Sequence, residues 1–170
     1  MWTTILLVIG AVFLFSAAYA AASGAPWVPT KKGDVARLQR LLNLKSGDKF
    51  VELGCGNGRV CRGIAEKHSD VEVVGVELSL LQYLVAQLQG ARSHTTFKLQ
   101  NVFAHDLSGY NAVYMFLMPE TYQKIESKLL RELQPGAQVV SYVWPIPGWE
   151  DRLVQVDKAE GKLDLFLYKT

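Results

Sequence analysis

The chain has 170 residues, about the size of one ordinary domain, and its 18 basic against 16 acidic side chains leave a formal net charge of +2. Both signs are interspersed, so no long-range field gathers phosphate backbones and nothing recommends nucleic acid as a partner. Only Cys55 and Cys61 are present, with no His/Cys cluster at metal-ligand spacing, which argues against a disulfide scaffold and a structural zinc site and for a reducing compartment.

No charged side chain occurs before Lys31, and Thr3 to Ala22 is an uninterrupted uncharged run. At about 1.5 Å per helical residue that run spans roughly the 30 Å of a hydrocarbon core, which predicts a membrane-spanning helix over residues 1–22. A cleaved secretory signal is the competing reading, because Ala18-Tyr19-Ala20 fits a small-x-small cleavage site; the basic n-region of a signal is missing. Lys31, Lys32, Arg37 and Arg40 follow the run, so the positive-inside rule puts the rest of the chain on the cytoplasmic side of a single-pass protein. Residues 23–33 contain Pro26 and Pro29 and are expected to be a short tether, with one folded domain over 34–170.

Within that domain the spacing of Val35, Leu38, Leu41 and Leu42 predicts an amphipathic helix, and Lys49 to Leu53 a strand. A glycine turn and renewed helical spacing at Val60, Ile64 and Ala65 follow. Val71 to Val76 reads as a second strand, and Leu80, Leu81, Leu84, Val85 and Leu88 as the apolar face of the next helix. Further strands are expected at Thr95–Leu99, 112–117 and 138–143, with a helix from Pro119 to the Pro135-Gly136 stop. The stretch from Asn101 to Asn111 holds at most one helical turn. Leu153–Val156 and Leu163–Tyr168 suggest a closing hairpin. The order implies an α/β fold: a Rossmann-like doubly wound sheet with a C-terminal antiparallel hairpin and a ligand crevice at the carboxyl ends of its first strands.

That crevice has a chemical signature. Glu52-x-Gly54-x-Gly56-x-Gly58 closes the first strand, where glycines let a ligand approach the backbone. Arg59 stands where a dinucleotide fingerprint needs its third glycine, and the Gly-Lys-Ser/Thr of a phosphate loop is absent. Glu77 ends the second strand 23 residues after Gly54, where a carboxylate can accept ribose hydroxyls.

Together these features resemble the class I S-adenosylmethionine-dependent methyltransferases over about residues 34–170. The resemblance implies S-adenosylmethionine as cofactor, with Glu52 orienting the glycine loop and the cofactor amine, Gly54 and Gly56 admitting the methionine moiety, and Glu77 holding the ribose. It also implies Asn101 and Val102 at the adenine, with Thr30, Cys55, Gly58 and Leu78 completing the cofactor-binding set. Four strings further resemble the protein-lysine methyltransferases of the adenine nucleotide translocase and ATP synthase c subunit, and their prokaryotic relatives. They are Pro26-Trp27-Val28-Pro29-Thr30, ELGCGNGR from Glu52, GVELS from Gly75 and VWPIPGW from Val143. Glu52, Asn57 and Ser79 depart from that group's Asp, Asp and Asn. The group's activity implies a lysine side chain of a membrane or membrane-associated protein as acceptor. The readings kept beside it are a small-molecule or RNA methyltransferase on the same fold and a non-catalytic membrane-tethered cofactor-binding module.

Lysine has a pKa near 10.4, so only about a thousandth is neutral near pH 7.4, and a dry aromatic channel would favour the reactive neutral form. Trp144 and Trp149 are candidates for such a lining, with ordinary core and turn packing as the alternative. Asp106 and Glu120 are candidates to receive the departing proton, with helix or turn capping as the alternative. No metal is expected. His68, His94 and His105 have no Ser or Cys nucleophile at a recognisable elbow, so hydrolase chemistry lacks support.

Overall fold

The structure, a computed structural model, describes residues 1–23, 28–91 and 93–170; Pro26 and Trp27 of the expected tether lie outside the described residues. Its elements, in chain order, are α1 (Trp2–Ser23), α2 (Lys32–Leu41), β1 (Lys49–Leu53), α3 (Arg59–Lys67), β2 (Glu72–Glu77), α4 (Leu80–Gly90) and β3 (Thr95–Leu99). These are followed by β4 (Ala112–Met115), α5 (Pro119–Glu132), β5 (Gln138–Tyr142), a 3-10 turn at Glu150–Arg152, β6 (Leu153–Asp157) and β7 (Leu165–Lys169). Between β3 and β4 the chain makes only turns, as the shortness of that connection requires.

The strands form one seven-stranded sheet in the order β3-β2-β1-β4-β5-β7-β6. The pairs from β3 to β5 are parallel, and β7 runs antiparallel to both β5 and β6. The expected doubly wound sheet with an antiparallel end is therefore the observed one. Strand order reverses between β1 and β4, which places the crevice at their carboxyl ends.

Side-chain alternation along β1 divides the interior in two. Phe50 joins Leu38, Val60, Ile64 and Tyr114 beneath α2 and α3, while Val51 and Leu53 join Tyr122, Ile125 and Leu129 of α5 on the other face. Near β3, the Phe97 ring fills a slot of missing side chains: a Cβ on Gly58 would come within 2.5 Å of it and one on Gly75 within 2.7 Å.

Helix α4 departs from its predicted packing. Its buried residues are Ala86 and Gly90, whereas Leu81, Leu84 and Leu88 are 42%, 45% and 80% exposed. The physical reason is the Phe97 ring, which lies against Gly90 and leaves room beneath the helix only for small side chains.

Buried polar contacts tie α2 to the far edge of the sheet. Arg37 donates to Asp34 at 3.0 Å, to Asp157 at 2.8 Å and to the Leu163 carbonyl at 2.8 Å, and Tyr142 donates to Asp34 at 2.6 Å. Removing Arg37 leaves two carboxylates without their cation, Asp34 fully buried among them. The expected outcome for Arg37→Ala is a loss of about 3–5 kcal/mol, read as a shift of the denaturant midpoint.

Candidate active site

The carboxyl ends of β1, β2 and β4 and the turn after β3 surround a cleft of about 1040 Å³, its open mouth included. Its lining contains Thr30, Glu52, Gly54, Cys55, Gly56, Glu77, Leu78, Asn101 and Val102, nine of the ten residues that the sequence suggested for the cofactor.

The tenth, Gly58, is absent from the lining. It stands at the start of α3 with φ +72°, and its missing side chain accommodates Phe97, so its glycine serves the core. Gly54 is different. It lies in the cleft wall at φ +78°, and a Cβ there would meet Leu117 Cδ2 at 2.8 Å, so any side chain would be strained and would push into the cleft wall.

Glu77 holds the loop in place. One carboxylate oxygen accepts the Gly56 N–H at 2.7 Å, and the other accepts the N–H groups of Leu78 at 2.9 Å and Ser79 at 2.7 Å. Three of a carboxylate's roughly four acceptor sites are thus filled by backbone, which leaves about one for a ligand hydroxyl rather than two. Asn101 is also partly engaged, its side-chain oxygen accepting the Phe103 N–H at 2.9 Å.

Glu52 lies deeper. Its carboxyl accepts the Cys61 N–H at 3.1 Å and the Cys61 thiol at 3.0 Å. Burial pushes its pKa up to about 8, with the Cys61 hydrogen bonds opposing and the charge of Glu77 adding to the rise. Burial likewise pushes the Cys61 thiol well up, so the buried thiol is no nucleophile.

The stretch ahead of α2 closes over this loop. Thr30 Oγ1 is 2.9 Å from the Tyr114 hydroxyl, and Arg59 donates to the Thr30 carbonyl at 2.9 Å. Beyond β4, the Tyr122 hydroxyl donates to the Met115 carbonyl and accepts the Leu117 N–H, both at 3.2 Å, which holds Phe116 and Leu117 against the cleft. Phe116 packs edge-on against Tyr142 at 4.8 Å.

The four residues considered for the chemistry are not brought together. Trp149 is fully buried, edge-on to Tyr168 at 5.7 Å, and belongs to the core. Asp106 accepts the Ser108 N–H at 2.9 Å and its hydroxyl at 2.7 Å, which is the turn-capping alternative. Glu120 occupies the first turn of α5, outside the cleft lining. Trp144 is 44% exposed and also outside that lining, beside Val143, whose φ of +75° is costly for a β-branched residue.

Several lining residues were missed. Phe116 and Leu117 were legible in principle, because they follow the strand at the reversal of sheet order. Ala17 and Ala20 of α1 were not, since nothing in an apolar run says that its last turns fold back onto a crevice.

The ANTKMT methyltransferase domain matches residues 52–152, more than half of the chain. The chain belongs to this family. It is an S-adenosylmethionine-dependent methyltransferase of the class I fold. A protein-lysine N-methyltransferase of Saccharolobus islandicus is 29% identical over 148 residues, 84% of this chain and 92% of that protein. A Xenopus laevis lysine N-methyltransferase of the ATP synthase c subunit is 31% identical over 128 residues, 73% of this chain; the methyltransferase described here spans about half that relative's length, 55%. An RNA methyltransferase from Salinibacter ruber, solved with S-adenosylhomocysteine, superposes with a TM-score of 0.78 at 26% identity over 84% of this chain and 93% of its own.

The residues present suit the cofactor. A cationic sulfonium ligand meets a cleft with two acidic side chains, Glu52 and Glu77, and a loop whose Gly54 leaves no room for a side chain, beside the apolar Leu78, Val102 and Leu117.

The raised pKa of Glu52 sets a pH dependence for the unliganded methyltransferase. The fold favours the protonated carboxyl, so its contribution to stability is complete below the ordinary value of 4.5 and is lost as pH rises through about 8. Thermal unfolding should therefore fall in midpoint across that window for the native chain and flatten for Glu52→Gln.

Proposed function

We propose that this chain is a membrane-anchored protein-lysine N-methyltransferase with its catalytic domain on the cytoplasmic side, acting on a membrane or membrane-associated protein. The observation that carries the acceptor chemistry is the composition of the cleft lining outside Glu52, Glu77 and the glycine loop. Val28, Leu81, Phe116 and Leu117, with the methyl groups of Ala17 and Ala20, make it apolar.

When bound, S-adenosylmethionine would supply an electrophilic methyl carbon for in-line transfer to an amine, an N–C bond forming as the C–S bond breaks and the sulfur leaves as a neutral thioether. The chain's own part is to bind, orient and exclude water. In this reading Glu77 takes one ribose hydroxyl at its remaining acceptor site, and Glu52 ionises beside the cofactor ammonium. Asn101 and Val102 meet the adenine, while Thr30, Gly54, Cys55, Gly56 and Leu78 shape the cradle. The apolar wall favours the neutral lysine amine by desolvation, which offsets part of the roughly 4 kcal/mol that deprotonation costs near neutral pH. No side chain is required as a base, consistent with the placement of Asp106 and Glu120 away from the cleft. Trp144, exposed at the end of β5 next to the strand that leads into Phe116, is assigned to contact with the protein substrate.

The relatives named for lysine methylation support this acceptor. The membrane assignment rests on α1, which is long and apolar enough to cross a bilayer over Trp2–Ala20.

Full-length chain incubated with native membranes, soluble extract and methyl-labelled cofactor should place the label on lysine in the protein fraction; label confined to RNA or metabolites overturns the acceptor assignment. Glu77→Ala should weaken cofactor binding by about 1–3 kcal/mol in calorimetry, the cost of a lost charge-assisted hydrogen bond. Trp144→Ala should raise KM for the protein substrate and leave the cofactor Kd unchanged; a changed Kd with an unchanged KM would move this residue to the cofactor side.

A further inference from the structure

Helix α1 is exposed on all sides from Trp2 to Val12, but from Phe13 onward one face is partly covered: Phe13, Ser16, Ala17 and Ala20, at helical three- and four-residue steps. Ala17 and Ala20 line the cofactor cleft. Ser16 reaches α4, its hydroxyl oxygen accepting the Leu80 N–H at 2.8 Å. The N-cap residue of α4, Ser79, makes no side-chain cap of its own, so Ser16 supplies one from another helix.

This docking conflicts with a simple anchor. The 22 residues of α1 span about 33 Å, enough for a hydrocarbon core of about 30 Å, but the undocked stretch from Trp2 to Val12 spans only about 16 Å. The helix can be both docked and membrane-spanning only if the surface it docks on enters the lipid. That surface is α4, and its composition suits the role. No charged residue lies between Glu77 and Arg92, whereas an ordinary solvent-facing helix carries several. The exposed Leu81, Leu84 and Leu88, at i, i+3 and i+7, form one apolar stripe that begins at the cleft and runs away from it.

We propose that α4 lies in the bilayer interface beside α1, with Leu84 and Leu88 in the acyl region, so that the cofactor cleft opens at the membrane surface. The occupant of the stripe is lipid, argued from its continuity with α1 and the absence of charge. The consequence is selectivity by depth: the acceptor amines are those that a membrane protein presents near the bilayer surface. The lipid placement of α4 rests on the membrane-spanning reading of α1 alone, and the selectivity by depth rests in addition on the methyl-transfer reading.

The test uses the full chain in phosphatidylcholine vesicles with and without acyl-chain-brominated lipid. An environment-sensitive fluorophore is attached at Leu6→Cys, Leu84→Cys, Leu88→Cys or Glu160→Cys; the native Cys55 and Cys61 are buried. Blue-shifted emission quenched by brominated lipid is expected at positions 6, 84 and 88, and neither change at 160. Quenching at 6 with none at 84 and 88 overturns the proposal while leaving the anchor standing; no quenching at 6 removes the anchor and the proposal together. Cross-linking of two copies through position 88 assigns the stripe to a second copy and overturns lipid as its occupant. Leu84→Glu combined with Leu88→Glu should reduce transfer to bilayer-borne acceptors and leave cofactor affinity unchanged; undiminished transfer overturns the selectivity. Cofactor affinity in calorimetry reports separately on the methyltransferase reading.

Discussion

The site depends on one carboxylate. Glu77 ends β2, yet the donor at 2.7 Å on one of its oxygens is the Gly56 N–H of the loop leaving β1, while the other oxygen gathers the backbone that turns into α4. Two adjacent strand ends and a helix start are thereby held on a single buried group. Because backbone N–H groups are obligatory donors, a buried loop of this kind needs an acceptor from outside itself. The group proposed to receive a ligand hydroxyl therefore also keeps the cradle assembled before any ligand arrives, which is preorganisation in a literal sense.

The glycines around it serve different needs. Gly54 is required by the cleft wall, since Leu117 already occupies the space where its Cβ would be. Gly58, Gly75 and Gly90 are required by Phe97, a core ring outside the cleft lining. A sequence pattern with three evenly spaced glycines hides this division. Steric demand from a leucine in the cleft wall and from an aromatic ring in the core produce the same residue type.

A similar division runs through α1. Its first half, rich in large apolar side chains, is exposed throughout, whereas Ser16, Ala17 and Ala20 are small and partly covered. Small residues let α4 and the cleft approach the helix closely. Removal of this stretch, as cleavage after Ala20 would do, would strip a wall from the cofactor cleft and the external cap from α4. The last turns of α1 thus belong both to the N-terminal helix and to the wall of the cleft.

What the sequence determined by itself was whatever depends on local periodicity and on backbone chemistry. Strands at Lys49–Leu53 and Thr95–Leu99, the helix from Pro119, the glycine loop and the carboxylate at Glu77 all follow from alternation, capping and turn rules acting within a few residues. Tertiary structure alone decided which of several equivalent residues face the cleft. Trp149 and Trp144 are five positions apart in one turn-rich stretch; packing against Tyr168 buries the first, while the second stays exposed beside the left-handed bend at Val143. The α4 leucines read as the apolar face of a helix, and only the tertiary structure shows Leu81, Leu84 and Leu88 exposed while Ala86 and Gly90 pack inward, Gly90 against the Phe97 ring. The capping of Leu80 by Ser16, 64 positions away, is decided by long-range approach between surfaces, which no local pattern encodes.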